Sequence, residues 1–390
     1  MNSFERMRMA INHKEPDHVP YDLAGTTVTG ICKQAFLNAM KERGLSTDYD
    51  QALCDPIQQI VTPAEETLLK LKVDTRRIGT RRVLDYEKIR TVDADGKMSL
   101  VDNWGCGWSM STHEIYYSQF SSPLKGYDSI TEGLEHWHVP DWGEKEIAIM
   151  EKDLEPLAER LGDFCGIADR NCAGITEMST RVRSHELWYM DTLMDPDGVN
   201  ALADEVAEHK IKYWTSLFDW IKKRGIADKI LVASEADDLG TQVSTLIDPD
   251  QLRDFVIPKF KRIFTSIKQQ MPGIKVFMHS CGSIRPIIPD LIEAGLDILN
   301  PVQFTAKDME LKGLKNDFGK DLVFWGGGVD TQSTLCKGTP EEVSDQVKRI
   351  LDIMAPGGGF VFTPVHNVQN DVPAANFWAM WDTLQEYGKY

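Results

Sequence analysis

The order of apolar and polar segments predicts an α/β protein, a (β/α)8 barrel with an irregular N-terminal region wrapped around it. Three observations predict it. Strand-like runs alternate with helical patterns at least five times after residue 225. Each run is near-continuously apolar, as parallel strands covered on both faces are. Each also ends in polar or glycine residues, and the loops leaving strand C-termini are where a barrel carries its chemistry. A doubly wound sheet is disfavoured, because no strand–GxGxxG–helix unit occurs where one belongs. The 390 residues read as a single barrel domain. Residues 1–160 supply an N-terminal extension and the first strands, and 161–390 the regular β/α units.

In chain order, the first 160 residues are turn-rich, with KEPDHVP, DADGKMS and HVPDWGE and no clear repeat. FCGIA (164–168) reads as a short buried strand. Residues 197–225 then read as a long amphipathic helix. Val199, Leu202, Val206, Trp214, Leu217 and Ile221 recur at helical spacing, and Gly225 supplies the stop. KILVASEADDLG is a strand and loop. In the next helix Asp248 is the cap, Pro249 takes the first helical position, and Pro258 predicts a kink. IKVFMHSCG, DILNPVQ and LVFWGGGVD are further strands, with a short helix, PIIPDLIEAG, after the first of them. TPEEVSDQVKRILDIM is a helix opened by a Thr339/Glu342 capping box, and GFVFTPVHN is the last strand.

Composition narrows the partners. Lys and Arg number 43 against 60 Asp and Glu, a formal charge of −17. Such a surface repels phosphate backbones and anionic lipid, so neither nucleic acid nor a membrane is expected. The charged N-terminus has no apolar signal core, and no apolar run approaches a membrane span. Seven scattered cysteines without a CxxC point to reduced thiols in a cytoplasm.

The candidate chemistry lies in VFMHSCGS (276–283). Residues i and i+2 of a strand face the same way, so His279 and Cys281 can reach one point at the barrel mouth. Imidazole and thiolate both suit zinc, and a catalytic zinc keeps three protein ligands and an open position. The alternative is a hydrogen-bonded turn histidine beside a small buried cysteine. His366, at the equivalent end of the last strand, is the candidate third ligand; Cys336 reads as the run-in to a helix. Glu235 and Asp237, in SEADDLG, are candidate catalytic carboxylates, with a loop or helix-cap role as the alternative. EHWH (135–138) and NWGCGWS (103–109) read as irregular or packed turns rather than further sites.

ERMRMAINHKEPDHVP, DDLGTQ (237–242), PDQLRDFVIPKFKRIF, HSCG and GGGFVFTPVHNVQNDVP together resemble the uroporphyrinogen decarboxylase superfamily, and within it the zinc- and corrinoid-dependent methyltransferases. The resemblance implies a (β/α)8 barrel whose zinc activates methyl transfer to or from a cobalamin carried by a partner corrinoid protein. No DxHxxG corrinoid-binding motif occurs in the chain itself. The decarboxylases carry an arginine-rich segment near the N-terminus that grips acidic substrates; here the matching VPYDLAGTTVTG has no arginine. Thiol-methylating members place a second cysteine where this sequence has His366. A zinc held by two histidines and one cysteine is a stronger Lewis acid than one held by two thiolates. The expected reaction is therefore removal of a methyl group from a methoxylated, aromatic small molecule, with transfer in the opposite sense, to a thiol, as the nearest alternative. A homodimer is also expected, since the barrel must open towards its partner.

Overall fold

Apolar residues at alternate positions of successive strands turn one way and close an interior. The computed structural model describes residues 1–50 and 53–390. Seven parallel strands form one sheet: β1 (Thr75–Ile78), β2 (Cys165–Asp169), β3 (Ile230–Ala236), β4 (Lys275–His279), β5 (Ile298–Asn300), β6 (Val323–Trp325) and β7 (Phe360–Val361), each beside its neighbours in sequence. Pro20–Asp22 closes the ring. The Phe362 N–H donates to Pro20 O and Asp22 N–H to Phe362 O, while Asp74 N–H donates to Tyr21 O. The eighth strand of the barrel is thus a single parallel bridge, too short to leave a sequence signal.

Cys165, Ile167, Val232, Phe277, Ile298, Val323, Trp325 and Val361 fill the interior. Met7 and Ile11 belong to the same cluster. The helix Ser3–Ala10 is tied to the N-terminal ends of β2 and β7 by Phe4 N–H to Asp163 O and Gly359 N–H to Ala10 O. The irregular N-terminus therefore plugs the bottom of the barrel. Phe277 and Trp325 meet edge to face at 5.5 Å within this interior.

The helical expectations hold closely. The long helix runs Pro196–Arg224, and Gly225 stops it in the left-handed region at φ 73°. Asp248 caps Asp250 N–H, and the Thr339/Glu342 capping box is formed. Pro258 does more than kink its helix. The segment splits at Val256 into Pro249–Phe255 and Ile257–Gln270, which places Pro258 in the first turn of the second helix, where its missing N–H costs nothing. The region before residue 160 is less irregular than the sequence reads. Thr91–Val92, Met98–Val101, Gly107–Met110 and Ser118–Ser121 make a four-stranded antiparallel sheet between β1 and β2. NWGCGWS is its hairpin turn, where Asp102 accepts from Trp104 N–H, Cys106 N–H and the Trp108 indole. No helix among the described residues is long and apolar enough to cross a membrane.

One buried carboxyl gives the fold a pH dependence. Asp22 is fully buried and accepts from Gly25 N–H, the Thr75 hydroxyl and the Trp325 indole. Burial outweighs these bonds and pushes its pKa up to about 6. A carboxyl raised on folding contributes stability that is fully present below its unfolded pKa of about 4 and is lost as the pH rises through 6. At roughly 1.4 kcal/mol per unit, about 3 kcal/mol is at stake across that window. Urea unfolding of wild type and Asp22→Asn at pH 4.5, 5.5 and 7 should show the wild type losing ground to the variant as the pH rises. Parallel pH profiles would contradict this assignment.

Candidate metal centre

His279 ends β4 on the same face as Phe277, so its ring rises from the barrel interior. It lies beside Asn300 in the sheet register. Its Nδ1 is 2.6 Å from Asn300 Oδ1, and the Asn300 amide in turn donates to Trp325 O at 2.7 Å. With its amide N–H committed, Asn300 presents oxygen to the ring, so Nδ1 carries the proton and Nε2 keeps a lone pair. That lone pair is 3.5 Å from Cys281 Sγ and 3.6 Å from Asp238 Oδ1.

Asp238, His279 and Cys281 offer ligand atoms that all lie within 4.8 Å of one another, the only such group of three among the described residues. Asp238 reaches the group because two loops touch backbone to backbone. A Cβ on Gly282 would sit 2.4 Å from Gly240 C, and φ at Gly282 is 87°. Glycine is required there on both counts. The contact is locked by Ser283 N–H to Thr241 O and by Leu239 N–H to the Ser280 hydroxyl. Asp238 also accepts the Cys281 N–H at 2.8 Å. Burial lowers the His279 pKa and keeps the ring neutral, although Asp238 and Asn300 pull the other way. Burial, Asp238 and Glu177 push the Cys281 thiol well above its ordinary value.

The other expected residues lie elsewhere. Glu235 points away from the mouth, since Val232 and Ser234 face inward on β3 and Glu235 takes the opposite parity. Its carboxylate accepts the Trp214 indole N–H at 2.6 Å and pairs with Lys210 Nζ at 2.8 Å, all three side chains buried against the long helix. Asp237 caps the helix Ile175–Arg183, taking Thr176 N–H at 2.8 Å and Glu177 N–H at 2.9 Å. Burial and the Glu177 charge push it up to about 7. His366 shares a cavity with Cys281 but stands outside the group of three. Its Nδ1 meets Asn367 O and the Gln369 amide, both at 3.3 Å, leaving Nε2 without a partner among the described residues.

Sequence reasoning missed Asp238, whose approach depends on the Gly240–Gly282 contact, and Asn300, which the HxC spacing does not reveal. It also missed a set of arginines. Buried Arg77 pairs with Asp169 and buried Arg183 with Asp191. Half-buried Arg82 pairs with Asp55 and half-buried Arg181 with Glu177. Buried Arg170, directly after β2, has its ion pair with the same Asp169 that holds Arg77, at 3.5 Å. In EHWH, His136 stacks on Tyr127 and His138 pairs with Glu205.

Comparisons with known proteins agree with this architecture. A curated relative, the methylcobamide:CoM methyltransferase MtbA of Methanosarcina acetivorans, is 21% identical over 319 residues, covering 78% of this chain and 84% of the relative. A solved methyltransferase from Methanosarcina mazei superposes with a TM-score of 0.67 over 99% of both chains at 18% identity, a likeness of fold. The profile of the uroporphyrinogen decarboxylase (URO-D) family matches residues 130–387, about two thirds of the sequence. That span takes in every barrel strand except β1 and the Tyr21 bridge, together with all three converging side chains, and the chain belongs to this family.

Proposed function

We propose that the chain is a zinc- and corrinoid-dependent methyltransferase, which takes a methyl group from a methoxylated aromatic donor and passes it to the Co(I) cobalamin of a partner corrinoid protein. The observation that carries this reading is the convergence of Asp238, His279 and Cys281 at the open end of the barrel. Carboxylate, imidazole and thiolate are all zinc ligands, and three of them leave one position open. The second observation of fit is the thiol itself. A half-buried thiol beside Asp238 holds its proton, and a dication in the same place would favour the thiolate instead. Asn300 fixes the imidazole for ligation through Nε2. Asp238 stands in this set where the sequence points to His366.

When bound, the zinc supplies Lewis acidity towards the ether oxygen. In the proposed reaction the methyl–oxygen bond would break as the partner's Co(I), the methyl acceptor, supplies the electron pair of the new bond to the methyl carbon. The oxygen leaves with the ether pair and takes up a proton. His366 is placed to deliver that proton, since it lines the same cavity as Cys281 and has Nε2 free. Glu235, held by Lys210 and Trp214, has no path to it.

The relative's name describes transfer from a methylcobamide to a thiol, CoM, and that direction is the second reading. A single thiolate beside a carboxylate leaves zinc more electrophilic than two thiolates would, which favours the ether donor. The decarboxylation in the family's name would need free cations for an acidic substrate, whereas Arg77, Arg82 and Arg181 are each paired with a carboxylate and Arg170 shares Asp169 with Arg77. All seven cysteines are unpaired, which supports a reducing compartment such as the cytoplasm. The test is to mix zinc-loaded protein, reduced corrinoid protein and a panel of methoxyarenes, and to follow methylcobalamin by its absorbance. Methylcobalamin should form with at least one arene. Its absence with every arene, together with thioether formation from methylcobalamin and a thiol, would replace this reading with the second.

A further inference from the structure

A cavity of about 570 Å³ opens beside Cys281, and one of its walls comes from outside the barrel. Ile115 and Tyr116 line it, carried by the loop that joins Gly107–Met110 to Ser118–Ser121 in the antiparallel sheet. The loop is pinned at both ends. Glu114 accepts the Ser111 N–H and hydroxyl, and Tyr117 is buried with its N–H on Ile57 O and its hydroxyl on Tyr86. Between these anchors Ile115 is 38% exposed and Tyr116 47%. A pinned loop that shows two large apolar side chains to a concave space is built to be covered.

The rest of the lining is amide-rich and electrically balanced. Gln58, Gln303, Gln332 and Gln369 line it, with one cation, Lys337, and one anion, Asp371. Three of the amides are already oriented. Gln303 accepts Gly282 N–H and donates to Gln242, Gln58 accepts from the Asn367 amide, and the Gln369 amide meets His366 Nδ1. No arginine lines the cavity.

We propose that Tyr116, backed by Ile115, is the surface on which the donor's ring lies, and that the cavity selects an uncharged methoxyarene over a carboxylated one. The inference rests on the function proposed above and names the substrate class for that site. An aromatic ring gains from a rigid aromatic face and from fixed amide partners for its oxygens. A carboxylate entering the same space would lose water without a guanidinium to replace it, and the charge of the lining's one lysine is offset by Asp371 in the same lining.

The test is direct binding, with no corrinoid present. Zinc-loaded wild type, Tyr116→Phe, Tyr116→Ala and Ile115→Ala are titrated with 2-methoxyphenol and with 4-hydroxy-3-methoxybenzoate by calorimetry. Wild type should bind the phenol about tenfold or more tightly than the benzoate. Tyr116→Ala should weaken phenol binding by about tenfold, with Tyr116→Phe close to wild type and Ile115→Ala between the two. Equal or tighter binding of the benzoate, unaltered binding by Tyr116→Ala, or no binding of either ligand would overturn the proposal. Binding that follows the pattern without methylcobalamin formation would instead count against the reaction and leave the binding face standing.

Discussion

Cys281→Ala and His279→Ala are expected to purify without stoichiometric zinc, whereas His366→Ala is expected to keep it. Three mutually close side chains with ligand atoms, Asp238, His279 and Cys281, make up the proposed site. Removing one of three takes roughly a third of a binding free energy that is on the order of 10 kcal/mol for protein zinc sites, hence about 100-fold or more in affinity. Asp238→Ala should fall in the same class. Asn300→Ala should weaken binding by about 10- to 100-fold without removing a ligand, since it frees the ring that Nδ1 anchors. The measurement is zinc content after dialysis against graded chelator, with circular dichroism to show that each variant is folded. The informative pair is Asp238→Ala and His366→Ala. Zinc retained by the first and lost by the second would return the third position to His366 and contradict the loop geometry around Gly240 and Gly282.

That contrast marks where sequence stops informing on this site. His279 and Cys281 are legible because two-residue spacing at a strand end is a local property. Asp238 is not, because its approach depends on two glycine-bearing loops meeting, and neither loop carries a sign of the other. Glu235 and Asp237 read as catalytic because they sit in an acidic run after a strand. Alternation along β3 turns Glu235 outward, and Asp237 is consumed by a helix more than fifty residues earlier in the chain. The barrel itself is legible from residue 225 on, where strands are apolar throughout and helices carry caps and stops. The antiparallel sheet is not, since its strands are short and mix buried Leu100, Trp108 and Met110 with serine and glycine. Its loop, with Ile115 and Tyr116, is a wall of the candidate substrate cavity. The segment that looks least structured in sequence is therefore the one proposed to read the substrate.

Glu235→Ala is expected to cost about 3–5 kcal/mol of stability while leaving zinc in place. Lys210 and Glu235 are both fully buried and 2.8 Å apart. Removing the carboxylate leaves an ammonium with only Cys172 O at 3.5 Å and Cys172 Sγ at 3.8 Å, and it also orphans the Trp214 indole N–H. Glu235→Gln keeps an acceptor for Trp214 and loses only the charge, so its deficit should be smaller but still set by the unpaired lysine. Replacing both partners, Lys210→Met with Glu235→Gln, removes the stranded charge and should recover much of the loss, because a buried pair is worth far less than the cost of breaking it. Urea midpoints across this double-mutant cycle, with zinc content and methyl transfer measured in parallel, separate the two roles open to Glu235. A structural pair predicts that stability moves by kcal/mol while the transfer rate per folded molecule stays near wild type. If Glu235→Gln instead unfolds at the wild-type midpoint and transfers no methyl group, the carboxylate acts in the chemistry despite its outward placement, and the proton would have to be routed from β3 rather than from His366.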